Sequence, residues 1–173
     1  IRWEMDKKFT NEDIDFQLEE FAKHNINVFF LMLIGYVTET IDDHHDTLKM
    51  FKRWQKYVAT GTIKGIDLGV GLKISPDTPL AGMIDQHEVY FLKPKNNSSN
   101  RHLWQSRKNP DLDISERVRR RLETHLEAIK YNWPVWRGEQ RLMGIKNLTK
   151  NYFNFLSDAE LVKTREDNLN FFE

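Results

Sequence analysis

Val28-Phe29-Phe30-Leu31-Met32-Leu33-Ile34-Gly35-Tyr36-Val37-Thr38-Glu39-Thr40 is the stretch that decides how this 173-residue chain is read. It opens with seven apolar residues, rich in aromatic and branched side chains. That is far short of the ~20 residues needed to span a bilayer. A run of this length with no polar side predicts a strand buried on both faces, as in a parallel sheet. Gly35 ends it. Thr40 then precedes Asp43 by three positions, and Asp42, Asp43 and Asp46 add negative charge where a helix begins. Leu48, Phe51, Trp54 and Val58 recur at helical spacing, and Gly61 stops that helix.

Working outward, a helix is predicted over about 11–24. Thr10 caps it with Asp13, Phe9 and Ile14 take the staple positions, and Ile14, Leu18, Phe21 and Ala22 form its apolar stripe. Asn25-Ile26-Asn27 separates it from the strand. Downstream, Ile66, Leu68, Val70, Leu72 and Ile74 alternate with Gly65, Asp67, Gly69, Gly71 and Lys73. Period-two alternation predicts a second strand with one greasy face. Glycines on its other face fit either an edge or bulge, or a cavity floor that leaves space for a bound molecule. Helix, strand, helix, strand with long connections gives an α/β class with parallel strands. Ligand groups in such folds gather beyond the carboxyl ends of the strands, here Gly35 to Glu39 and Lys73 to Thr78.

After residue 82 the organisation changes. Residues 83–112 read mostly as loop or lid, with Pro94, the Asn96–Asn100 polar run and Asn109-Pro110. Residues 113–173 read as a helical extension. Asp113 and Glu116 open its first helix, with Val118, Leu122, Leu126 and Ile129 as the stripe, and Trp133-Pro134-Val135-Trp136 turns the chain. A further helix from about Glu139 carries Leu142, Ile145, Leu148, Tyr152 and Leu156, and Ser157 with Glu160 caps a last one. Trp133, Trp136, Tyr152, Phe153 and Phe155 could shape a substrate pocket, but a helix-packing core is the favoured reading.

Charge balances at 26 basic and 26 acidic residues, mean hydropathy is −0.66, and 39% of residues are hydrophobic, which supplies a core without a polyelectrolyte field. Residues 1–90 hold 15 acidic and 10 basic side chains, net −5, and 91–173 hold 11 and 16, net +5. The Arg117, Arg119, Arg120, Arg121 cluster points several ways around a helix and lacks interleaved aromatics, so the reading is solvated faces and no nucleic acid. No membrane span is expected. The complete absence of cysteine removes disulfides, thiolate metal sites and thiol catalysis, and suits a cytoplasmic location. His44 and His45 are adjacent and so diverge on a helix, and the other histidines lack spaced partners. No metal site is expected, and the histidines read as solvated or boundary residues.

Gly35-Tyr36-Val37-Thr38-Glu39-Thr40 is the most informative segment chemically. Glycine at a strand end permits close approach of a ligand, and a carboxylate before a helix start accepts hydrogen bonds. The same residues also suit a plain strand-to-helix turn with a capping acid.

Four blocks carry a family resemblance: Met5-Asp6-Lys7-Lys8-Phe9-Thr10-Asn11-Glu12-Asp13-Ile14, Asn25-Ile26-Asn27, Leu33 to Thr40, and Ser75-Pro76-Asp77-Thr78-Pro79-Leu80. In order and spacing over residues 1–82 they resemble radical S-adenosylmethionine enzymes, closest to the subgroup that often carries a cobalamin-binding domain. The chain departs from that pattern at Val37, Thr38 and Asp77, where the family has Pro, Gly and Gly, and lacks the cluster cysteines C-x-x-x-C-x-x-C. The resemblance implies that residues 1–82 are the end of a (β/α) partial barrel. It implies that Lys7, Gly35, Glu39, Leu72 and Lys73 lie toward S-adenosylmethionine, and that Asp67, Gly69 and Gly71 face the barrel interior and substrate. It also implies a parent enzyme with a 4Fe-4S cluster, and cobalamin as a further cofactor. Ile1 in place of a starting methionine, together with the missing cysteines, predicts a chain cut from that parent and inactive alone. A non-catalytic binding or oligomerisation module with the same half-barrel is the alternative. The expected partners are the remainder of the parent chain and a second copy, since a fragment leaves sheet edges uncovered.

Overall fold

The computed structural model describes residues 4–68, 72–92 and 101–136. The expected helices from about 139 onward, Tyr152, Phe153 and Phe155 of the aromatic set, and Gly69 to Gly71 lie outside the described residues.

Local rules fix the first elements. Helix α1 spans Asn11–Lys23, and Thr10 and Asp13 close a full capping box, with the Asp13 carboxylate 2.7 Å from the Thr10 amide. Asn25 takes a left-handed φ of 54° and turns the chain into strand β1, Val28–Leu31. Helix α2, Ile41–Arg53, repeats the box at Thr40 and Asp43. It breaks at Trp54, whose indole N–H donates to Asp15 at 2.6 Å, and a short α3, Gln55–Ala59, continues to Gly61. Strand β2, Ile63–Asp67, pairs in parallel with β1, Phe29 opposite Gly65 and Leu31 opposite Asp67. Among the described residues the ladder ends at Asp67, whereas the alternating pattern runs to Ile74; Leu72 and Ile74 pack in a separate cluster with Trp104 and Leu112.

Beyond a short turn α4, Pro79–Gly82, the stretch expected as loop holds β3, Val89–Phe91, antiparallel to β4, Trp104–Ser106. Three residues per strand are too few to show a period, which is why the pattern escapes notice. Helix α5, Ile114–Lys130, starts at Asp113 as expected. After it Val135 does not merely turn: it bridges Ile66 in parallel, with Pro134 O accepting from Ile66 N at 3.0 Å and Ile66 O from Trp136 N at 2.9 Å.

The two faces of this parallel unit differ. Phe30, Ile66 and Leu68 join Leu18 of α1, Phe51 of α2, Trp54, Ala128 of α5 and Trp133 in one core. The other face is uncovered among the described residues, with Phe29 44%, Leu31 79% and Trp136 46% exposed. The strand expected to be buried on both sides is buried on one. No described helix is long and apolar enough to cross a membrane.

Candidate functional site

The loop after β1 is built around Gly35 and Glu39. Gly35 sits at φ +80°, and a Cβ there would come within 2.9 Å of Arg117 Cγ and 3.0 Å of Cδ. Glycine is required twice over, by conformation and by the aliphatic stem lying on it. Glu39 turns back into the loop, its Oε2 accepting from the Gly35 amide at 2.7 Å and the Tyr36 amide at 3.4 Å. Its Oε1 accepts from Arg120 Nη1 at 3.0 Å, and that nitrogen also donates to Thr40 O at 2.9 Å. Asn109 Nδ2 holds the same loop from another side, 3.2 Å from the carbonyls of Val37 and Glu39.

The charges continue along α5. Arg120 Nε donates to Glu116 Oε1 at 2.7 Å, and Arg119 binds both Glu116 and Glu123. Glu123 Oε2 lies 2.8 Å from His44 Nε2, which ties α5 to α2. Burial works to raise the Glu116 pKa, but the guanidinium groups of Arg119 and Arg120 outweigh it and hold the carboxyl below its usual range. Burial pushes His44 below the usual histidine range, and the pull of Glu123 toward the charged form only partly offsets it. His44, Arg120 and Glu39 are 1%, 3% and 4% exposed. The expectation of solvated arginines and a boundary histidine is corrected here. Backbone carbonyls and carboxylates satisfy these charges inside the fold, which makes their burial tolerable.

Arg117 leads to the loop after β2. It donates to Trp104 O at 2.6 Å and lies 3.8 Å over the Trp104 ring, while the indole N–H donates to Leu72 O at 3.0 Å. Of the residues singled out in the sequence, Gly35, Glu39 and Leu72 are thus brought together through Arg117 and Trp104. Lys73 is exposed beside them. Lys7 is exposed and its carbonyl accepts from Phe9 N at 2.9 Å; the same N-terminal segment meets the loop at Glu4, which accepts from the Thr38 hydroxyl. Asp67 ends β2 on the uncovered face, opposite Leu31. Gly69 and Gly71 lie outside the described residues. Sequence reasoning missed Arg117, Arg120, Glu116, Trp104 and His44 as members of the site. Glu116, Arg120 and Glu123 at helical spacing were a signal for the α5 ladder, but nothing local joins Arg120 to a Glu39 81 positions away.

Among the described residues no three His, Asp or Glu side chains converge to hold a metal ion. No family model, no curated protein and no solved structure matches the chain.

Proposed function

We propose that this chain closes a (β/α) barrel of the radical S-adenosylmethionine type, contributing the adenosine and substrate side and relying on a parent polypeptide for the cluster. The observation that carries the reading is one-sided coverage. Helices α1, α2 and α5 share one core on a single face of parallel neighbours in the order β1, β2, Val135. A doubly wound sheet puts helices on both faces, whereas a barrel puts them all outside and turns the other face inward. Phe29, Leu31, Asp67 and Trp136 would then line the interior. A groove of about 230 Å³ between α1 and β1, lined by Phe9, Ile14, Gln17, Phe21 and Phe29, leaves room along the β1 edge for a preceding strand.

The iron–sulfur cluster does not fit this chain, which has no cysteine to ligate it, so no radical step is assigned to these residues. Gly35 and Glu39 face the cofactor as a shaped loop, because their polar atoms are already engaged with each other and with Arg120. Lys73 stands at the rim as the group able to reach an anionic or polar part of a ligand. Lys7, tied to the same neighbourhood through Glu4 and Thr38, is the proposed partner of the cofactor carboxylate. Cobalamin, if the parent carries it, belongs to another domain.

Titrating the isotopically labelled chain with S-adenosylmethionine tests the reading. The amides of residues 35–39 and 72–73 are expected to shift while those of the outer turn of α1 stay in place. Loops that do not respond at millimolar cofactor would overturn the assignment. The alternative, an oligomerisation module, draws support from the exposed Phe29, Leu31 and Trp136.

A further inference from the structure

Tyr36 and Val37 lie beyond the carboxyl end of β1, where parallel sheets bind their ligands, yet they are only 6% and 1% exposed. Two parts of the chain cover this loop, and they hold it differently. From α5 the Arg117 stem lies on Gly35, and Arg120 binds the Glu39 carboxylate at 3.0 Å, both through buried side chains. From the other direction comes the segment that precedes α1. Glu4 accepts from the Thr38 hydroxyl, and Met5 packs against the cluster that holds Tyr36 and Val37. Glu4 is exposed and Met5 only partly buried.

Between Met5 and the Thr10 cap the segment runs through solvent. Asp6, Lys7 and Lys8 are exposed, and the Asp6–Lys8 ion pair, 3.1 Å long with side chains 82% and 71% exposed, adds little rigidity. Asp6 takes a left-handed φ of 55°, which aspartate tolerates better than most residues, and the Phe9 amide donates to Lys7 O at 2.9 Å in a tight turn. Phe9 then lines the groove beside α1 and fixes the far end. A solvated pivot with surface attachments beyond it opens more readily than the buried contacts of α5.

We propose that residues 4–8 form a strap that covers the Tyr36–Thr38 side of the loop and swings away about Asp6–Lys8 to admit a ligand. That the ligand is S-adenosylmethionine rests on the cofactor reading above; the covering contact stands on Glu4, Met5 and Thr38 alone. Closed, the strap shields Tyr36. Burial pushes its phenol above the ordinary tyrosine range, and the Glu4 carboxylate adds to the rise. Opening removes both effects, which makes the Tyr36 ring a reporter of the strap.

Nitration by tetranitromethane, mapped by peptide mass spectrometry, reads that ring. Tyr90, 38% exposed, is the accessible reference, and Tyr57, 6% exposed in the core with Phe51 and Trp54, is the buried one. Thr38→Val removes the hydroxyl without changing the shape, and Met5→Ala removes the packing. Relative to Tyr90, Tyr36 is expected to nitrate about threefold faster in the double variant and by a smaller factor in Thr38→Val, while Tyr57 stays slow. An unchanged Tyr36 rate overturns the strap, and so does a rise that Tyr57 matches, since that is general loosening. S-adenosylmethionine affinity, read from the amides of residues 72–73, is expected to rise about threefold in the double variant, because less is spent on opening. Faster nitration with unchanged affinity overturns the gating role. Faster nitration with no cofactor response in either chain supports the strap and sinks the cofactor reading.

Discussion

At Gly35 a left-handed backbone and the Arg117 stem leave no room for a side chain. Gly35→Ala is expected to cost about 1–3 kcal/mol, from strain and displacement of Arg117, read as a lower urea midpoint at constant m-value. Glu39 sits at the junction of the loop and α5. Glu39→Gln keeps the shape but leaves Arg120 with only Glu116 as an ionised partner, and a loss of about 2–4 kcal/mol is expected in the same measurement. His44 adds a pH dependence. Its folded pKa lies below the unfolded value of ~6.5, so the unfolded chain takes up the proton first as pH falls. Stability from His44 is present above that value and drains away below it. Urea midpoints between about pH 7.5 and 5 should fall, and His44→Gln should make the fall shallower; an unchanged slope would show that His44 titrates alike in both states. Glu39 was legible in the sequence as a loop carboxylate, because capping acids announce themselves locally. Its pairing with Arg120 is a tertiary event that spacing does not encode.

At the level of elements, both capping boxes were legible, since each is contained within four residues. Helix α5 began where Asp113 and Glu116 placed it, but its expected stripe held only in part, with Leu122 buried. Leu126 and Ile129, read as core, are 48% and 52% exposed, while Arg117, Arg120 and Arg121 are buried. Periodicity ranks side chains by apolarity and cannot know that carbonyls of the β1 loop and of Trp104 await the guanidinium groups. Strand β1 shows the converse. Its run looked suitable for two buried faces, yet the Phe29 ring spreads over Gly65, where a Cβ would come within 2.4 Å of it, and meets Trp136 edge-on at 5.9 Å. An aromatic that covers a strand glycine compensates for the missing side chain. Phe29→Ala is expected to cost about 1–2 kcal/mol, less than for a core phenylalanine because the ring is half-exposed, with a change in tryptophan emission as Trp136 loses its neighbour.

For the molecule as a whole, the parallel unit buries one face in helices and leaves the other open, with the β1 edge unpaired among the described residues. Exposed Phe29, Leu31 and Trp136 beside such an edge favour association. Light scattering is expected to show self-association that rises with concentration, and Leu31→Lys should reduce it without moving the urea midpoint by more than a few tenths of a kcal/mol. A monomer at high concentration would remove the oligomerisation alternative. The α/β class and parallel pairing were legible because the order of elements carries them. One-sidedness was not, since it depends on which face each crossover helix covers. The barrel reading is tested most directly by isolating the natural polypeptide anaerobically, mapping its peptides upstream of Ile1 and measuring its iron. The account predicts a C-x-x-x-C-x-x-C segment there and a cysteine-ligated four-iron cluster. A natural polypeptide with neither the segment nor the iron would contradict it.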